Sequence, residues 1–246
     1  MAKLDKSKYT KQEWRLIREK RRQEKHFPKL AVPQIAVPVN IERLAINTSA
    51  AFVLGNGTSR SPINVFELAK HGKTYGCNAL YRTFSPDYLI AVDVKMILEI
   101  NKSGYQHHNV VWTNPNKSYQ SMRNLNYFQP SKGWSSGPTA LWLASQHGYD
   151  KIFILGFDYK GLGDGKKLNN IYADTVNYKK STEGATFFGN WLRQTKNVIE
   201  QHPNINYFRV IASDNYLPDE LNKFNNLTTI TVDKFMKMHS ISTEVL

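Results

Sequence analysis

Short apolar runs rich in β-favouring residues recur along this chain at Ala51–Leu54, Lys73–Cys77, Tyr88–Val92, Asn109–Thr113, Lys151–Leu155, Tyr207–Ala212 and Thr229–Val232. Helix-like stretches fall between them, at Pro62–Lys70, Val94–Asn101, Pro138–His147, Glu183–Gln201 and Asp219–Phe224. Short apolar runs alternating with helices predict an α/β fold, a mostly parallel sheet flanked by crossover helices. Sheets of this kind bind ligands beyond the carboxyl ends of their strands. The small polar residues that close the runs are therefore either plain turns or a ligand-facing rim. The Gly/Lys/Asn-rich stretch Lys160–Asn170 reads as a mobile loop.

The first forty residues break this pattern. Lys8–Lys25 reads as a helix, with Thr10 and Glu13 spaced as a capping box, but its apolar residues are only Trp14, Leu16 and Ile17. Pro28, Pro33 and Pro38 follow, and proline favours extended backbone, so a strap is expected here. Residues 1–40 are thus expected to form a basic helical extension, and residues 41–246 the globular domain.

Charge sharpens the division. The chain of 246 residues carries a formal net charge of +13. Met1–Lys29 holds eleven Lys/Arg against four Asp/Glu. Such a balance points to a polyanionic partner, and DNA or RNA meeting Lys11, Arg15, Arg18, Arg21 and Arg22 is one reading. A solvated helix packed through Trp14 and Ile17, at a homo-oligomer interface, is the other. One cysteine, Cys77, excludes an intramolecular disulfide framework and a multi-cysteine zinc site, which suits a reducing cytoplasm. No apolar stretch approaches a membrane span, and the charged N-terminus has no secretory h-region.

Candidate chemistry gathers at the run ends. Gly55-Asn56-Gly57-Thr58-Ser59 follows a strand and precedes a helix start. Glycines let backbone approach a phosphate, and helix-start N–H groups attract anions. A tight turn capped by Ser59 or Ser61 explains the same residues. The stretch is neither a GxGxxG fingerprint nor a Walker A loop. Asn78 ends the next strand and is either a turn cap or a reader of base or ribose. Asp93 ends the third, as a helix N-cap or as a carboxylate facing substrate. Ser135-Ser136-Gly137-Pro138 opens a helix, and Gly156-Phe157-Asp158-Tyr159 ends the strand after it. Two helix starts and two strand ends are expected to converge on one cleft. His107 and His108 lack partners at metal-ligand spacing, and no metal site is expected from spacing.

This combination resembles the bacterial family-42 sialyltransferases, which bind a CMP-activated sugar on a Rossmann-like core. Gly55, Asn56, Gly57 and Ser59 match their Gly-Asn-Gly-x-Ser element, and Cys77 and Asn78 match the last two residues of an Arg-Cys-Asn element. Ser136, Gly137, Gly148, Tyr149, Ile152, Ile154, Gly156 and Asp158 resemble the family's Ser-Gly helix start, Gly-Tyr turn and Gly-x-Asp strand end. The resemblance implies nucleotide contacts by Asn56, Asn78, Ser136 and Gly137, and a tyrosine pair near the donor phosphate at Tyr159 and Tyr172. It covers roughly Ala51 to Asp174. The family's histidine base has no counterpart in "NYKKSTEGATFFGNW", so the candidate bases are Asp93, Asp158 and Asp174.

"SPDYLIAVD" is also similar to a strand of the motility accessory factor and pterin pyrophosphokinase-like group. The leading expectation is a glycosyltransferase using a CMP- or UDP-type nucleotide-sugar, with a polyanion such as modified nucleic acid as acceptor. The second is a non-enzymatic nucleic-acid-binding or virion-associated protein on the same core. The third is a pyrophosphokinase-like enzyme using Mg²⁺ and clustered carboxylates.

Overall fold

The computed structural model describes residues 50–212 and 216–241. The basic extension, its helix over Lys8–Lys25 and its proline strap lie outside the described residues, as do Lys11, Arg15, Arg18, Arg21 and Arg22.

The described chain forms a Rossmann-like α/β fold. Its strands are β1 (Ala50–Leu54), β2 (Lys73–Cys77), β3 (Tyr88–Ile90), β4 (Val111–Thr113), β5 (Asn126–Tyr127), β6 (Lys151–Leu155), β7 (Asn206–Ile211) and β8 (Leu227–Thr231). They make one sheet in the order β5-β4-β3-β2-β1-β6-β7-β8, and every pairing is parallel. The helices are α1 (Val65–Leu68), α2 (Val94–Ser103), α3 (Ser136–Gln146), α4 (Gly189–Gln201) and α5 (Val232–His239).

Alternation along the central strands explains the layers. Ala51 and Val53 of β1, with Ile152 and Ile154 of β6, pack against Ala140, Leu141 and Ala144 of α3 and Val198 and Ile199 of α4. Phe52, Leu54, Phe153 and Leu155 face the other way, toward Leu68 of α1 and Phe235 and Met236 of α5. Leu89 and Val111 meet Met96, Ile97 and Ile100 of α2 in a third cluster on the flank. Both faces of β1 and β6 are dry, which is why their sequences are unbroken apolar runs. No described helix is long and apolar enough to cross a membrane.

Several elements differ from the sequence reading. The sheet is wholly parallel, and β5 adds a strand that the apolar pattern did not mark. Asp219–Phe224 is a set of turns, with i→i−3 bonds from Leu221 to Pro218 and Asn222 to Asp219. The helix expected from Glu183 starts at Gly189, because the preceding backbone is bonded elsewhere: Leu168 N–H to Glu183 O at 3.2 Å and Ala185 N–H to Lys166 O at 2.7 Å. Pro62–Lys70 shrinks to the single turn of α1, capped by the Asn64 side chain on Phe66 N–H.

The topology reverses between β1 and β6. From β1 the chain winds outward to β5, then returns to place β6 on the other side of β1. A crevice is expected above that reversal.

Candidate functional site

A cleft of about 290 Å³ lies at the carboxyl ends of the central strands. Its walls come from the segments after β1, β2, β3 and β6, the start of α3, and the long connection from β6 to α4.

The floor is made where two loops meet. Gly55 N–H donates to Leu155 O at 2.8 Å, and Gly57 N–H donates to Gly156 O at 2.9 Å. Gly156 has φ +68, a left-handed conformation that costs glycine little. Asp158 then closes the turn from β1. Its carboxylate accepts from the Ser59 N–H at 3.1 Å and from the Ser59 hydroxyl. Asn169 Oδ1 accepts from both Thr58 N–H at 2.8 Å and Thr58 Oγ1 at 2.9 Å. Ile171 N–H donates to Asn56 O at 2.8 Å.

These bonds limit how much of Gly55–Ser59 can hold a phosphate. The N–H groups of Gly55, Gly57, Thr58 and Ser59 already have acceptors within the protein, and one of those acceptors is a carboxylate. The residues after β1 form a three-residue 3-10 turn over Thr58–Arg60 rather than a full helix start. Arg60 is buried beside this loop and donates Nε to Gly55 O at 2.8 Å. The tight-turn alternative describes this stretch better than a phosphate cradle.

The start of α3 is different. Ser135 sits at the N-cap, but its side chain makes no capping bond. Ser135 N–H is taken by Gln194 Oε1 at 3.1 Å. Among the described residues nothing accepts from the Ser136 and Gly137 N–H groups, and both residues line the cleft. An eleven-residue helix thus presents its positive end, with unmet donors, to the cavity.

Asn78 stands beside it. It has φ +53, a left-handed conformation that costs an L-residue of order 1 kcal/mol and that asparagine tolerates better than most. Its Oδ1 accepts from Ser136 Oγ at 2.8 Å, and Ser136 Oγ in turn accepts from Val92 N–H at 3.1 Å. That leaves the Asn78 Nδ2 group without a protein acceptor among the described residues. Asn56 is turned inward: its Nδ2 donates to Cys77 O at 3.3 Å and to Tyr178 Oη at 3.2 Å. Burial pushes the Cys77 thiol up to about 12, so it is no nucleophile at neutral pH.

The three candidate carboxylates divide. Asp93 lines the cleft, exposed, at the N-cap of α2, yet its side chain makes no capping bond. Asp158 is 6% exposed and engaged with Ser59, so it braces the loop. Asp174 is not among the lining residues. Its Oδ1 accepts from Ser181 N–H at 3.1 Å in an exposed turn, and this bonding with Ser181 lowers its carboxyl from the ordinary value.

The tyrosines divide as well. Tyr159 lines the cleft with φ +55, and its hydroxyl donates to Thr195 Oγ1 at 2.7 Å. Burial pushes its hydroxyl up to about 12. Tyr172 is buried away from the cleft, its hydroxyl 3.1 Å from Thr83 Oγ1, so no tyrosine pair meets in the cavity.

Phe188 and Trp191 were not singled out by sequence reasoning. With Phe157 they form an aromatic wall, and Lys160, Asn169 and Asn170 come from the stretch read as a mobile loop. Arg209, 2% exposed, donates to Phe157 O at 2.8 Å and to Asp158 O at 3.3 Å, fixing the segment after β6 from below. An arginine inside the apolar strand Tyr207–Ala212 was the available signal for it. A Mg²⁺-dependent pyrophosphokinase would need grouped carboxylates. Among the described residues no three His, Cys, Asp or Glu side chains are grouped as a metal set, and Asp158 is committed to Ser59, so these residues do not fit that requirement.

Comparison with protein-family models, with curated proteins and with solved structures returns no match.

Proposed function

We propose that the cleft binds a nucleotide-sugar of CMP or UDP type and transfers its glycosyl group to an acceptor hydroxyl. The observation that carries this reading is the start of α3, whose Ser136 and Gly137 N–H groups lack acceptors beside Asp93, a carboxylate with no partner among the described residues. The helix end would take the donor phosphate, where charge develops as the glycosidic bond breaks. Asn78 Nδ2 would hold the ribose or base, and the wall of Phe157, Phe188 and Trp191 would cover an apolar ring face. In the transfer step the acceptor oxygen bonds to the anomeric carbon and its proton passes to Asp93. The bond from that carbon to the phosphate oxygen breaks, and its electron pair stays on phosphate. Asp93 replaces the histidine that the resembling family uses.

Thermal-shift screening of the full chain against CMP, UDP, GDP, ATP and their sugar conjugates, with and without Mg²⁺, tests this. A ligand at about a hundred times its Kd adds roughly 2.7 kcal/mol of stability. Stabilisation by a pyrimidine nucleotide without Mg²⁺ is the expected result. Stabilisation by ATP with Mg²⁺ alone would favour pyrophosphoryl chemistry instead.

A further inference from the structure

The carboxyl edge of the sheet carries a second group of side chains that the transfer chemistry does not use. Lys132 Nζ lies 4.3 Å from the ring centroid of Trp142 and 5.5 Å from that of Trp134. Phe128 stacks on Trp112 at 5.1 Å and meets Trp142 edge-on at 6.0 Å. Three of the five tryptophans in the chain therefore belong to one cluster, packed on one side against the core and partly exposed on the other. Trp134 directly precedes Ser135 and Ser136, so this surface runs into the rim of the cleft.

The chain segment that carries it is one-sided in charge. Lys117 is exposed in the segment that leaves the carboxyl end of β4. Among the described residues neither Lys117 nor Lys132 is paired with a carboxylate. No Asp or Glu occurs anywhere between Glu99 and Asp150. A surface shaped only for solubility mixes both signs. Here one ammonium group, that of Lys132, stands over two indole rings, the combination that holds unpaired bases and their phosphates together.

We propose that this surface binds single-stranded nucleic acid, with a phosphate at Lys132 and an unstacked base on Trp134. A duplex hides its base faces, so it can use the charges but not the ring. The assignment does not depend on glycosyl transfer, and it is separate from the basic N-terminal residues.

The test is anisotropy of a labelled oligo(dT) titrated with the full chain across a salt series, alongside a matched duplex and a heparin fragment. The wild type should bind the single strand more tightly than either competitor. Trp134→Ala should weaken that binding about tenfold, and Trp134→Phe should retain most of it. Lys132→Gln should reduce the salt slope by about 0.7. Melting curves accompany each variant. If Trp134→Ala does not fold, Lys132→Gln and Trp134→Phe against Trp134→Leu decide the matter. Binding carried by the N-terminal residues alone would leave affinity and slope unchanged in every variant and would overturn the proposal. Equal affinity for heparin and oligo(dT) would overturn it too. Neither result bears on the nucleotide screen of the cleft.

Discussion

Gly55 and Gly156 are locked back to back at the topological reversal: a Cβ on Gly55 would lie 2.6 Å from Gly156 O, and a Cβ on Gly156 would lie 2.8 Å from Gly55 O. The two loops that floor the cleft can approach only because neither residue has a side chain. Gly156 also needs φ +68. Gly156→Ala should therefore combine backbone strain with a backbone clash and cost about 3 kcal/mol. Urea unfolding checks this, and a loss under 1 kcal/mol would show that the loops can part without penalty.

Asp158 and Ser59 form the second lock. A buried carboxylate that loses its charge-assisted bonds should destabilise the fold, so Asp158→Asn is expected to cost about 1–3 kcal/mol. Ser59→Ala should cost less, since the Ser59 N–H bond to Asp158 survives. The measurement is the denaturation midpoint of both variants. An unchanged midpoint in Asp158→Asn would show that the Ser59 contact does not hold the loop.

Asp93 should behave in the opposite manner. It is exposed and makes no side-chain bond at the head of α2. Asp93→Asn should shift stability by no more than about 0.5 kcal/mol. Once a donor is found, the same change should slow transfer by a factor of about 10²–10⁴, the usual contribution of a positioned base. Full turnover in this variant would remove Asp93 from the mechanism.

Two histidines set a pH dependence. His147 meets the Tyr75 hydroxyl and the Tyr75 and Tyr88 rings, and burial lowers its pKa. His239 packs among Phe52, Phe153 and Phe235, and its pKa is lowered by burial and, less, by His71. A folded-state pKa below the unfolded value means that the unfolded chain binds more protons. The associated stability is then complete above pH about 6.5 and is lost as pH falls through the depressed folded values. Urea midpoints measured from pH 8 down to about pH 5 should decline, and His147→Gln should flatten part of that decline. A midpoint that rises on acidification would contradict the assignment.

What could be read from the sequence follows from how each residue is held. β1 and β6 are legible because both their faces are buried, which forces Ala51–Leu54 and Ile152–Leu155 to be continuously apolar. β5 is two residues, Asn126 and Tyr127, and carries no period at all. That Asn78, Ser136, Gly137 and Asp93 line one cleft was legible because parallel topology alone carries strand ends and the α3 start to one edge. Tyr172 and Asp174 were not placeable. They sit in the long connection after β6, whose path depends on tertiary bonds such as Asn169 to Thr58. The bonding of the glycine stretch after β1 was not legible for a related reason: Asn169 and Asp158 arrive from far along the chain to take the Thr58 and Ser59 amides.

Under the proposed function a nucleotide phosphate is held at the start of α3 and not in the loop after β1. Amide-resolved ¹H–¹⁵N spectra of the full chain, titrated with the nucleotide that stabilises it most, test this directly. The Ser136 and Gly137 amides should move with saturation, while those of Gly57, Thr58 and Ser59, already bonded to Gly156, Asn169 and Asp158, stay close to their free positions. Large shifts at Gly57, Thr58 and Ser59 with Ser136 and Gly137 unmoved would contradict the account, as would the absence of any shift around the cleft at millimolar nucleotide.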